Sequence, residues 1–379
     1  MNTYFDNAAT SFPKAPHLGN TLSTFIENSS VNINRGTYKN AYDLEEKVFE
    51  TRELLSEYFG FEDYKNVVFT KNITESINLV INGLFDSNDH ILISNFEHNA
   101  LMRPLNHLNV EYSKIPCDSL GNFDMDLLKK SLKSNTKAIF VTHASNVTGT
   151  IMNIEQLSRF AHNNNLLFII DAAQTAGLLK FEKNIADIIC FTGHKHLLGP
   201  TGIGGFVGTK SILSQIKPFI LGGTGSLSEQ EIQPTYLPDK FESGTQNTLG
   251  IIGLNHSLNY INNKGIDTLE NHQKELLKYF LNKLNYFENL NIHGTQSIDN
   301  KCPVVSISFK DSLDQGLFSY FLSDKYNISI RCGLHCAPSA HKTINTFPTG
   351  TMRFSLSPFH QKSDIDYVID AISKGLKTL

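Results

Sequence analysis

Hydrophobic and polar positions along this chain follow two alternating periods. Between 41 and 58, apolar residues fall at Ala41, Leu44, Val48, Leu55 and Tyr58, one face of a helix, and Gly60 fits the turn that ends it. Short apolar runs then recur at 67–70, 90–94, 110–115, 137–142, 166–171 and 187–191. Several are continuously apolar, as strands covered on both faces must be. Helical patterns separate them. One opens with the capping pattern Asn72-x-x-Glu75; another, over 97–108, holds Pro104, which should bend or shorten it. Strands separated by helices predict an α/β fold with a mostly parallel sheet and right-handed crossovers.

The pattern weakens at both ends of this core. Residues 1–40 read as polar with short apolar patches. Residues 209–245, with two prolines and Leu221-Gly222-Gly223-Thr224-Gly225, read as a long functional loop region. A helix follows over 248–261, and Asn262-Asn263-Lys264-Gly265 marks a boundary. Beyond it, helices at 267–286, 314–325 and 363–376 and a strand at 303–309 predict a smaller α+β domain. The expected division is 14–262 for the large domain, with 1–13 and 263–379 forming the small one.

Composition narrows the classes. The 379 residues are 40% hydrophobic and 18% charged, with net charge -4 and no basic block, so no nucleic-acid surface is expected. No run of about 18 apolar residues predicts a membrane span, and the first residues lack a signal-peptide pattern. Five scattered cysteines disfavour a disulfide scaffold and favour a reduced, cytoplasmic protein.

In an open parallel sheet, ligands bind beyond the carboxyl ends of the strands. Here five successive strand ends deliver polar groups: Asn72 and Thr74; His98; Asn146; Asp171 and Gln174; then Thr192, His194 and Lys195. A lysine just past an apolar strand, between two histidines, is placed to hold pyridoxal phosphate (PLP) as an imine. Asp171 would pair with the ring nitrogen and make the ring an electron sink; capping the next helix is its plainer alternative. His98 could stack on the ring and move protons. Thr74, in a helix's first turn, suits phosphate, with Thr192 and His194 as further donors. Gly199-x-x-Gly202-x-Gly204-Gly205 is no dinucleotide loop, because it leads into a strand-like run rather than a helix.

A second constellation is Arg331-Cys332-Gly333-Leu334-His335-Cys336-Ala337-Pro338. Cys336 follows a histidine and lies five residues from an arginine, and positive neighbours favour the nucleophilic thiolate. Gly333 and Pro338 predict a loop. A metal clip of Cys332, His335, Cys336 and His341 lacks a recognised spacing. Arg353, on a predicted strand, suits capture of a substrate carboxylate; an ion pair with an acid of the last helix is the alternative. Arg35, on the tight loop Asn34-Arg35-Gly36-Thr37, is a further substrate-binding candidate.

These motifs resemble the class V aminotransferase family of fold-type I PLP enzymes, within it the cysteine desulfurase and selenocysteine lyase branch. The resemblance runs from Tyr4-Phe5-Asp6-Asn7-Ala8-Ala9-Thr10 to Arg353. It rests on Thr74-Glu75-Ser76-Ile77-Asn78, Glu97-His98-Asn99-Ala100, Asp171-Ala172-Ala173-Gln174, Gly193-His194-Lys195 and Phe241-Glu242-Ser243-Gly244-Thr245, with a cysteine loop like that of group II. It implies a seven-stranded-type sheet and a homodimer with interfacial active sites. Thr245 would reach the phosphate of the neighbouring subunit's cofactor, Gln174 would bond the ring hydroxyl, and Asn146 would sit by cofactor and substrate. The implied reaction takes L-cysteine to L-alanine with a persulfide on Cys336, its sulfur passing to an acceptor protein. Selenocysteine lyase, or another class V reaction such as amino transfer or epimerisation, is the alternative. Leu334 stands where a second histidine is usual, Ile73 replaces a frequent threonine, and 222–245 diverges.

Overall fold

The computed structural model describes residues 1–33 and 36–379, so the expectation for Arg35 lies outside the described residues. Its first body is a seven-stranded sheet with strand order β1-β7-β6-β5-β4-β2-β3. The strands are β1 (Val67–Thr70), β2 (His90–Ile93), β3 (Glu111–Lys114), β4 (Thr136–Thr142), β5 (Leu167–Asp171), β6 (Ile188–Thr192) and β7 (Gly204–Gly208). Only β7 runs antiparallel to its neighbours. Strands β2, β5, β6 and β7 are apolar along most of their length because helices cover both faces. The edge strand β3 is the exposed exception.

Helix α1 (Leu18–Asn28) lies in the stretch that reads as polar, and packs its Leu18–Phe25 face toward α8 (Thr248–Lys264). The 41–58 pattern forms α2 (Lys39–Tyr58). Asn72 caps α3 (Ile73–Leu84), its side chain accepting from the Glu75 N–H. Helix α4 (Asn99–His107) starts two residues later than its pattern, because His98 is its N-cap, and contains Pro104. Short helices α5 (Met125–Lys130) and α6 (Ile154–Asn163) complete the crossovers. The 209–245 region is not all loop: α7 (Lys210–Gln215) opens it, burying Leu213.

A second sheet, order β10-β11-β9-β8, is wholly antiparallel. It comprises β8 (Leu290–His293), β9 (Val304–Phe309), β10 (Arg331–Gly333) and β11 (Thr351–Ser355). Helices α9 (Ile266–Leu284), α10 (Gln315–Tyr326) and α12 (Lys362–Thr378) bury its apolar face in one core, while α11 (Pro338–Thr343) leads away from it. Gly265, at φ 79°, joins α8 to α9. The N-terminus ties the two bodies together. Phe5 exchanges backbone hydrogen bonds with Ser329 and Ser355 in the small sheet, and Ser11 N–H donates to the His194 carbonyl beyond β6.

Candidate active site

The register of the large sheet gathers the predicted residues on one edge. Thr142 lies opposite Asp171, and Asp171 opposite Cys190 two residues before Thr192. Thr192 and Thr70 both pair with Gly204. A Cβ on Gly204 would stand 2.9 Å from the Asn72 backbone, so the start of α3 sits directly above the end of β6. Thr74 and its first-turn N–H groups thus share this edge with Thr192, His194 and Lys195.

Asp171 is buried, and among the described residues it has no salt-bridge partner. Its Oδ1 accepts from the Ala173 N–H at 2.8 Å, but turns rather than a helix follow β5, so the helix-capping alternative is not realised. Burial pushes its carboxyl upward; that hydrogen bond and the Lys195 charge oppose the shift. The Lys195 amine falls to about 8, through burial first, while Asp171 pulls it back up. A lysine so lowered offers a usable fraction of free amine near neutrality.

His98 accepts from the Ala100 N–H at its Nδ1 (3.0 Å), which leaves the ring proton on Nε2. Burial, then the charges of Lys195, Arg331, Arg353 and Arg103, lower it to about 4, so it is a neutral imidazole. Its neighbour Glu97 is fully buried and bonded to Ser94 and to the Thr142 N–H at 3.0 and 3.1 Å. Burial pushes Glu97 up to about 8. This carboxyl ties the ends of β2 and β4 and thereby fixes His98.

Gln174 Oε1 and Thr192 Oγ1 are among the buried polar atoms that find no partner among the described residues. Gln174 Nε2 is committed to the Ala8 carbonyl at 3.1 Å, leaving its oxygen free to accept. Unmet groups of this kind mark a place for a polar ligand. His194 is held through Nδ1 by Thr10 Oγ1 at 3.0 Å, and burial lowers it to about 4. Lys14, unnoticed in the sequence, donates to the His194 carbonyl (2.8 Å), Thr10 and Ser11, and clamps the N-terminal segment beneath the Lys195 loop.

The cysteine constellation hangs over this edge from the small sheet. Arg331 lies opposite Arg353 in the β10–β11 pair, so the segment begins as a strand rather than as loop. Cys332 packs toward the small-sheet core, and among the described residues the metal alternative forms no ligand cluster. His335 and Cys336 take left-handed φ values of 48° and 58°. The His335 carbonyl accepts from Asn146 Nδ2 and the Cys336 carbonyl from the Asn99 N–H, both at 2.8 Å. Cys336 is exposed, with Arg331 Nη2 at 3.7 Å from its sulfur.

The expectation that His335 lends positive charge to the thiol is corrected. His335 is buried, its Nε2 bonded to the Thr351 carbonyl at 3.1 Å, and burial with nearby arginines lowers it to about 2. It is a neutral prop for the loop. The cation beside the thiol is Arg331.

Arg353 is buried, with Nη2 on Asp6 Oδ1 at 2.7 Å and Nη1 on the Asn146 carbonyl at 3.1 Å; among the described residues its Nε has no partner. Its ion-pair partner is therefore an N-terminal acid, not one from the last helix. Three of its five N–H groups remain for a substrate. Thr245 is exposed. Its segment is pinned by Glu242, which pairs with buried Arg52 at 2.6 Å and accepts from the Phe69 N–H at 2.8 Å. Nothing in the local sequence marks Arg52, because its partner lies 190 residues away.

The model of the class V aminotransferase family matches residues 3–368, and the chain belongs to that family. A protein from Pyrococcus abyssi named probable cysteine desulfurase is 30% identical over 99% of this chain and 94% of its own length. A cysteine desulfurase from Wigglesworthia glossinidia brevipalpis is 30% identical over 99% and 93%. The apo cysteine desulfurase from Thermococcus onnurineus superposes with a TM-score of 0.91 at 29% identity, covering 99% of this chain and 95% of that one.

Proposed function

We propose that this protein is a PLP-dependent cysteine desulfurase, taking L-cysteine to L-alanine and receiving the sulfur on Cys336. The observation that carries the reading is an exposed thiol, with Arg331 at 3.7 Å, fixed by the Asn99 N–H beside the strand ends that hold Lys195 and Asp171. The residues present suit the cofactor. Asp171 would supply a buried carboxylate, without a salt-bridge partner among the described residues, for a protonated ring nitrogen, Gln174 Oε1 a free acceptor for the ring hydroxyl, and Thr192 Oγ1 and the first turn of α3 donors for phosphate. When bound, PLP supplies an electron sink that makes the substrate Cα–H acidic. Lys195 would hold the cofactor and, as a free amine again, would take that proton at Nζ; burial, which lowers the free amine to about 8, suits it to that task. His98, neutral and protonated at Nε2, would lie against the ring and donate a hydrogen bond without adding charge. Arg353 offers its remaining N–H groups to the substrate carboxylate. The Cys336 thiolate attacks the substrate sulfur, whose bond to Cβ breaks; thiol plus L-cysteine gives persulfide plus L-alanine, so atoms balance.

The site is completed in a homodimer on this reading, with Thr245 reaching the partner's phosphate. Its support is the exposed apolar surface of the same region, with Phe219, Leu221 and Ile232 each more than 60% exposed. The division into 14–262 and 1–13 with 263–379 follows the two sheets. Five free cysteines favour a reducing cytoplasm, and among the described residues no helix is long and apolar enough to cross a membrane.

The test is an alanine and sulfide assay on L-cysteine, with mass spectrometry of the peptide bearing Cys336. Cys336→Ala should retain the yellow cofactor and lose persulfide. Undiminished alanine production by that variant would defeat the assignment.

A further inference from the structure

We infer that the rim around Cys336 docks an acidic, cysteine-bearing segment of the sulfur acceptor, an inference that rests on the desulfurase reading above. The rim is built from three elements that meet at the thiol. Helix α4 receives the Cys336 carbonyl at Asn99, and one turn on it carries Arg103, whose charge acts on His98. At the end of β3, Lys114 Nζ donates to Ser339 Oγ at 2.6 Å, three residues beyond Cys336. One turn along α11, Lys342 lies 5.0 Å from the ring of Phe347, and its charge acts on Lys114. Arg331 stands at the sulfur itself.

Arg103, Lys114 and Lys342 are exposed. Among the described residues none of these four cations takes part in a salt bridge. The chain as a whole carries net charge -4, so this positive field is local. Like charges gathered around one mouth repel each other and attract an anionic partner, raising the rate of encounter. Phe347, 47% exposed, adds an apolar contact beside Lys342. The backbone at the thiol is held through two adjacent carbonyls, His335 by Asn146 and Cys336 by Asn99, so the acceptor must come to it.

The transfer needs no outside oxidant. The acceptor thiolate attacks the outer sulfur of the Cys336 persulfide; that S–S bond breaks as a new one forms on the acceptor. Cys336 leaves as a thiolate beside Arg331 and regains the proton the acceptor thiol gave up.

The probes are three synthetic peptides, each with one cysteine, flanked by Asp and Glu, by Lys and Arg, or by Ser and Asn. The full-length holoenzyme is first charged with L-cysteine, and transfer from Cys336 is followed by mass spectrometry. Each rate is divided by that peptide's rate with a small soluble disulfide, which removes intrinsic differences in thiol reactivity. At low salt the acidic peptide should exceed the basic one by about tenfold, and the advantage should vanish near about 1 M salt. Charge reversal by Arg103→Glu with Lys342→Glu leaves two rim cations facing two anions, so it should erase the acidic peptide's advantage while persulfide still forms on Cys336. Equal normalised rates for the three peptides with the unaltered enzyme, or an acidic advantage that survives the reversal, overturn the inference. Absence of persulfide before any peptide is added would overturn the desulfurase reading itself, and this one with it.

Discussion

Replacing Lys195 with methionine should make the cofactor-free protein more stable. The lysine amine falls from 10.5 to about 8, chiefly through burial, with Arg353 and Arg331 adding to the shift and Asp171 opposing it. That fall corresponds to about 3 kcal/mol against the charged folded form. Lys195 keeps some exposed surface, so about 2 kcal/mol is the working figure. Between pH 8 and 10.5 the unfolded chain binds more protons than the folded one, so wild-type stability climbs with pH through that window. Below pH 8 the penalty is complete. Methionine fills similar volume without charge, and Asp171, already pushed upward by burial, can take a proton once its cationic neighbour is gone. Urea unfolding followed by tyrosine fluorescence suits a chain with 13 tyrosines and no tryptophan. At pH 7 Lys195→Met should unfold at higher urea with unchanged slope. At pH 10 the two proteins should converge, and the variant should stay colourless with added cofactor. A wild type equally stable at pH 7, or a gap that widens with pH, would refute the argument.

Two further substitutions probe the supports. Arg52→Met leaves Glu242 buried without its cation and should cost about 3–5 kcal/mol in unfolding free energy, while Arg52→Met with Glu242→Leu should recover much of it. An equal loss in single and double variants would show that packing of Arg52 over the Phe69 ring, not charge, holds the segment. Gly350 sits at φ 82°, where an added Cβ would come within 2.2 Å of the Gly333 carbonyl oxygen under the cysteine loop. Gly350→Ala should cost about 1–3 kcal/mol and slow persulfide formation while leaving cofactor colour intact; unchanged persulfide kinetics would contradict this.

The large sheet was legible because its strands are short apolar runs ending in polar residues, a local signal. The same logic exposed Lys195, Asp171 and His98, each a polar group where an apolar run stops. What was not legible is long-range. Helix α1 carries no side-chain cap, and its apolar face is defined by packing against α8, far along the chain. Arg353 finds Asp6 across 347 residues, and Arg52 finds Glu242 across 190. The charge of His335 was misjudged for a related reason: sequence shows that it adjoins Cys336, but only packing shows that the ring is buried against β11. Histidine's charge near neutrality turns on burial, and adjacency says nothing of burial.

That misjudged histidine also explains how the two sheets are coupled. Its Nε2 bonds to the Thr351 carbonyl, Thr351 Oγ1 bonds to Ser306, and Ser306 Oγ donates to the Val147 carbonyl at 2.6 Å, one residue from Asn146. Asn146 in turn holds the His335 carbonyl, and its own carbonyl receives Arg353. The chain of bonds closes on itself through both sheets, so the cysteine loop cannot shift relative to the Lys195 edge without breaking several buried hydrogen bonds. Each buried donor or acceptor left unmet costs about 1–3 kcal/mol. The Cys336 thiol and the Lys195 amine, reached from different sheets, therefore keep a fixed separation. On the proposed reading, the charged rim is then the means by which a mobile acceptor is brought to a stationary donor.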